Sequence, residues 1–187
     1  GSDLDILIFH NGKIGQEKLK AIVNDLLYPL WDKNSVDHSV RTRNETREAA
    51  ASDLRVATGL LDIRFIAGNA ELVAAVRSDS LDYWRKDAKR NLPELEKTLS
   101  ERHERAGELA YLLEPDLKEA RGGLRDIQAL RAIALSGIVN VPLEKISWAE
   151  STLNTVREAL HVASGRGKNR LLFQEQDKVA KLLDYKD

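Results

Sequence analysis

The sequence predicts an α+β protein that is mostly helical, with a small sheet near the N-terminus followed by an all-helical stretch. Two observations carry this class. Short β-branched and aromatic runs occur only before Asn69, and from Ala70 onward the apolar residues recur at helical spacing. With 187 residues, 42% apolar and 32% charged, the chain is long enough to bury a core and sits in the globular range.

The first element is Asp3 to His10, which is short, apolar and β-branched and closes on Asn11-Gly12, so it reads as a strand and turn. From Gln16 to Trp31 the residues Leu19, Ile22, Val23, Leu26, Leu27 and Leu30 give an amphipathic helix. Val36 to Thr42 reads as a second strand, and Asn44 to Leu60 as one Ala-rich helix with Asn44 as its N-cap. Leu61 to Gly68 alternates and predicts a third strand. Helices are then expected over 70–76, 81–106 with a break at Pro93, 124–136, 149–163 and 171–185, with an irregular stretch over 112–123. The expected division is an α+β part over residues 1–78 and a helical part over 79–187.

Composition excludes several function classes. There are no cysteines, which removes disulfides, thiolate metal sites and cysteine nucleophiles. With 29 basic against 30 acidic side chains, the chain lacks the cationic surplus of a protein that coats nucleic acid. No run approaches the roughly 20 apolar residues of a membrane helix, and no signal peptide is visible, so a cytoplasmic protein is expected. The chain opens directly on an apolar run and contains no methionine, so a piece of a longer protein is also expected. The four histidines show no zinc-binding spacing. The three tryptophans read as core or interface fillers, and the charge-dense run from Arg85 to Arg105 as a solvated helix face.

Two constellations could carry chemistry. Asp3 and Asp5 lie two apart on the first strand, so their carboxylates share a face about 6–7 Å apart at Cα, a spacing that can hold hard cations for phosphoryl displacement. Asp62, in the expected third strand, is a candidate third carboxylate. Spacing alone is equally satisfied by a solvated strand start and by an Asp62 paired with Arg55 or Arg64. The second constellation is the polar loop at Gly122-Gly123, which runs into a helix. Paired glycines let backbone approach a ligand, and the helix start offers N–H groups to phosphate, with Lys118, Arg121 and Arg125 adding charge. A simple turn flanked by exposed charges meets the same pattern.

The order of these pieces resembles a known family. Gly1-Ser2-Asp3-Leu4-Asp5, Leu27-Tyr28-Pro29-Leu30-Trp31-Asp32, His38-Ser39-Val40-Arg41-Thr42, Thr58-Gly59-Leu60-Leu61-Asp62, Leu113-Glu114-Pro115-Asp116-Leu117-Lys118, Gly122-Gly123-Leu124-Arg125-Asp126-Ile127-Gln128 and Arg170-Leu171-Leu172-Phe173 resemble the bacterial PII uridylyltransferase/uridylyl-removing enzymes across essentially the whole chain. The resemblance implies a polymerase-β-type nucleotidyltransferase portion over 1–78 and a helical domain over 79–187. It implies Asp3 and Asp5 as Mg²⁺ ligands, Asp62 as the third catalytic carboxylate, and Lys118, Gly122, Gly123, Arg125 and Asp126 near the nucleotide. Asp116 stands where many members of the family have asparagine.

The same resemblance implies transfer of UMP from UTP, with ATP and AMP as the other nucleotide choice, to a tyrosine of the PII signalling protein, without nucleic acid or membrane. The family's glycine-rich segment before Asp-x-Asp, its HD phosphohydrolase domain and its ligand-sensing ACT domains have no counterpart in this sequence. The stretch by itself is therefore expected to be inactive or very weak in transfer and unable to remove uridylyl groups. The alternatives are a non-catalytic helical interaction module and a domain like that of the glutamine-synthetase adenylyltransferase.

Overall fold

The computed structural model of the protein describes residues 4–32 and 35–185. The chain forms two compact units, Gly1–Tyr83 and Trp84–Asp187.

In the first unit, β1 (Leu4–Phe9) and β2 (Val36–Arg41) pair in parallel, with Leu4 opposite Val36 and Phe9 opposite Arg41. Parallel neighbours cannot be joined by a tight turn. The crossover is α1 (Gln16–Trp31), which buries Val23 and Leu27, four residues apart and so on one face.

The stretch 44–60, expected as one helix, is two. α2 (Arg43–Ser52) is capped by Thr42 rather than Asn44. The Thr42 hydroxyl accepts from Glu45 N at 3.3 Å, and the Glu45 carboxylate accepts from Thr42 N at 2.7 Å, a reciprocal capping box. Asp53 ends α2 in extended backbone and starts α3 (Leu54–Gly59), its carboxylate accepting from Arg55 N at 2.7 Å and Val56 N at 3.4 Å.

The third strand expected over Leu61–Gly68 does not form: Leu60–Asp62 is a 3₁₀ turn and 63–68 is irregular. A strand exists through its ladder, and among the described residues the sheet contains β1 and β2 alone. The alternating apolar residues therefore lack a partner, and Phe65 and Ile66 are exposed.

α4 (Ala70–Lys86) and α5 (Ala88–Ala106) run without the gap expected at 77–80. They part at Asp87, and Pro93 lies within α5 without ending it. Asp79 of α4 accepts hydrogen bonds from Arg43 and Arg47 of α2. The Arg43 bond, aided by the charge of Arg47, holds its carboxyl below the ordinary value against the opposing effect of burial.

The second unit adds α6 (Leu124–Ser136), α7 (Leu143–Ser164) and α8 (Phe173–Leu182). α7 starts at Leu143, earlier than the expected Ala149, because Pro142 offers its carbonyl to Lys145 N at 3.1 Å. Leu117, Ala159, Leu160 and Val179 form a buried cluster, with Leu109, Val156 and Leu171 packed against it. Trp84 is fully buried and its indole N–H donates to the Ala132 carbonyl at 2.7 Å. Trp148, expected as a filler, is 74% exposed. No described helix is long and apolar enough to cross a membrane.

Replacing Trp84 by Phe removes the indole bond to the Ala132 carbonyl, which keeps its place in the α6 ladder. Urea unfolding should show a loss of about 1 kcal/mol, the usual net contribution of one hydrogen bond.

Candidate functional site

Asp5 is the second residue of β1 and its side chain is exposed. Asp3 lies outside the described residues. Neither Asp5 nor Asp62, exposed at the end of its 3₁₀ turn, is committed to a hydrogen bond or ion pair with the described residues. Such free oxygen donors suit a hard cation, although among the described residues no three Asp, Glu or His side chains gather as a metal site. The register adds a residue that sequence reasoning missed: Asp37 of β2 lies opposite Asp5. In a parallel pair the partners stand on one face at about the 4.8 Å strand spacing, so two like charges sit side by side. The chain separation hid this pair, and alternation in Val36-Asp37-His38-Ser39-Val40 was the available signal.

The second unit holds the loop 107–123. Arg121 N donates to the Gly107 carbonyl at 2.8 Å and Leu109 N to the Arg121 carbonyl at 2.9 Å, so the two ends of the loop run side by side. Within it the Asp116 carboxylate accepts from Lys118 N and Glu119 N, both at 2.8 Å. The turn needs one side-chain oxygen at that position, which asparagine also supplies.

The paired glycines have separate reasons. Gly122 has φ 87°, a conformation that suits glycine. At Gly123 a Cβ would stand 2.8 Å from the carbonyl oxygens of both Ala120 and Leu117. That close approach lets Leu117 and Lys118 accept from Leu124 N and Arg125 N, both at 3.0 Å. Asp126 N bonds the Gly123 carbonyl at 3.0 Å and Gly123 N the Ala120 carbonyl at 2.8 Å. The N–H groups at the start of α6, expected to be open to phosphate, are thus engaged by the loop's own backbone.

Asp126 points back into this loop. Its carboxylate accepts from Gly122 N at 2.7 Å, from His103 Nε2 at 2.9 Å and from Arg102. Arg102, which sequence reasoning left on a solvated helix face, is 8% exposed and also donates to the Glu119 carbonyl at 2.6 Å. Burial opposes the charge on Asp126, but the bonds from Gly122, His103 and Arg102 together outweigh it and hold the carboxyl below its ordinary value. Of the nearby cations, Arg125 lies 3.3 Å from Glu119 and Arg121 3.9 Å from Glu108. The Lys118 ammonium has no ion-pair partner among the described residues. Asp126 is therefore a loop clamp, and Lys118 and Arg125 are the side chains the loop can present to a ligand.

The fold and this loop define a class: a small parallel βαβ sheet bearing acidic residues, together with a helical unit built around a clamped Gly-Gly turn. The chain belongs to the GlnD PII-uridylyltransferase family, which matches residues 90–136 and 138–187, just over half its length. The bifunctional uridylyltransferase/uridylyl-removing enzyme of Streptomyces coelicolor is 50% identical over 96% of this chain, and that of Mycobacterium tuberculosis 40% identical over all of it. The Corynebacterium glutamicum enzyme of the same name is 34% identical over 91%. The chain spans 21–24% of the length of these relatives. No solved structure matches it.

Two outcomes test the clamp. Asp126→Asn should cost about 3 kcal/mol in urea unfolding, because buried Arg102 loses its counter-charge. The folded-state pKa is lowered, so this contribution is complete above the ordinary carboxyl range near about 4 and is lost as pH falls below it. The gap between wild type and Asp126→Asn should accordingly narrow in acid. Gly123→Ala, with its Cβ against two backbone oxygens, should cost about 1–3 kcal/mol by the same measurement.

Proposed function

We propose that the chain is the nucleotidyltransferase and adjoining helical region of a PII-modifying enzyme that transfers UMP from UTP to a tyrosine hydroxyl of PII. The family's description names PII, and its relatives are named uridylyltransferases, which favours UMP over AMP. The observation that carries the reading is Asp5, an exposed and uncommitted carboxylate at the start of β1, with Asp37 beside it.

In this reading Asp3 and Asp5 hold Mg²⁺, and Asp37 adds negative potential on the same face. Mg²⁺ when bound offsets charge on the α-phosphate and on the departing pyrophosphate. The tyrosine oxygen bonds to the α-phosphorus as the bond to the β-phosphate oxygen breaks. A phenol with a pKa of about 10 needs a base at neutral pH, and Asp62 takes its proton. In the helical unit, Lys118 and Arg125 are cations suited to phosphate, and Gly122, Gly123 and Asp126 shape the loop that carries them.

The test is Asp5→Asn in a protein of the relatives' length, assayed with labelled UTP and PII. Transfer should fall by at least about 100-fold, roughly 3 kcal/mol of barrier, with the circular dichroism spectrum unchanged because Asp5 is exposed. Undiminished transfer overturns the assignment, and preferential labelling from ATP in a mixed assay overturns the choice of nucleotide.

A further inference from the structure

The connection between α7 and α8, Ser164-Gly165-Arg166-Gly167-Lys168-Asn169-Arg170, carries three cations and no carboxylate. Its own hydrogen bonds order it. Gly165 ends α7 with φ 64°, Ser164 Oγ accepts from Arg166 N at 3.3 Å, and Lys168 N donates to the Arg166 carbonyl at 2.9 Å. Asn169 then ties the segment to two neighbours. Its side-chain oxygen accepts from Arg157 Nε at 2.7 Å, and its backbone oxygen accepts from Leu117 N at 2.8 Å. Leu171 N donates to the Pro115 carbonyl at 2.9 Å, which completes an antiparallel bridge with Asp116 opposite Arg170. The basic connection thereby lies alongside the segment that leads into Lys118.

The charges do not balance. Arg170 stands 3.7 Å from Glu114, but Arg157, Arg166, Lys168 and Lys118 have no carboxylate at ion-pair distance among the described residues. Three acidic groups nearby are engaged elsewhere, Asp116 by Lys118 N and Glu119 N, Glu114 by Phe173 N and Arg170, and Glu119 by Arg125, while Glu158 follows Arg157 on α7. His161 on α7 lies beside this segment. Burial first, and then the Arg157 charge, lower its proton affinity, against the opposing influence of the Lys168 backbone and Glu158.

We infer that the 164–170 connection, together with Arg157 and Lys118, is a binding site for a polyphosphate anion. Guanidinium forks and ammonium groups on a short, preordered segment match the clustered oxygens of linked phosphates. A long nucleic acid is disfavoured by the chain's net charge of −1. A nucleoside triphosphate and an inorganic polyphosphate share this chemistry. Through Lys118 the nucleotide as ligand rests on the function proposed above, whereas tripolyphosphate binding is read directly and stands or falls apart from transfer.

The experiment titrates inorganic tripolyphosphate and UTP separately into this chain by calorimetry at low and moderate salt. Both should bind, more weakly as salt rises. An Arg166→Ala/Lys168→Ala double variant should lose at least tenfold in affinity while keeping its circular dichroism spectrum. A Lys18→Ala/Lys20→Ala double variant, which removes two exposed cations from α1, should bind as wild type does. Tighter UTP than tripolyphosphate identifies the nucleotide as the ligand, and equal affinities identify the phosphates alone. No binding by wild type, or equal losses in the two double variants, overturns the inference.

Discussion

The helical unit depends on one half-buried carboxylate. Asp126 gathers a backbone N–H from Gly122, the imidazole of His103 and the guanidinium of Arg102, and so joins the end of α5 to the start of α6 across the loop between them. Arg102 can be buried only because it has this counter-charge and the Glu119 carbonyl. The clamp also fixes what the loop can offer. A helix start normally leaves donors free for an anion, whereas here the loop's carbonyls take them. Recognition on this loop falls to side chains, among them Lys118, whose ammonium has no ion-pair partner among the described residues.

Much of the fold was legible in the sequence. β1, α1, β2 and α6 follow from local runs and periodicity, and the structure places them close to the expected bounds. The errors came where local pattern needs a distant partner or where a short polar residue decides. Leu61–Gly68 alternates like a strand, but alternation does not supply a ladder. The division of 44–60 turned on Asp53, whose carboxylate caps a new helix more readily than it continues an old one. The Thr42-x-x-Glu45 signature of the true cap was present in the sequence and passed over.

The candidate site was legible in kind more than in arrangement. Asp5 stands exposed on its strand, but its neighbour Asp37 is set by inter-strand register, which no linear spacing encodes. Arg102 and His103 were lost in a charge-dense helix, because burial of a single arginine leaves no trace in periodicity when its partner lies beyond a long loop. The Gly122-Gly123 pair stands out in the sequence as a phosphate loop, and what the structure shows there is steric: Gly123 admits three carbonyl oxygens within 3.1 Å of where a Cβ would stand.

The span from Arg102 to Asp126 has a kinetic consequence. Every contact of the clamp lies within one short stretch of chain, from the last turn of α5 to the first turn of α6. Closing so small a loop carries little entropic penalty, and contacts of low sequence separation form early. During synthesis this segment can set before α7 and α8 have emerged, leaving them a finished surface, Leu117 included, on which to condense.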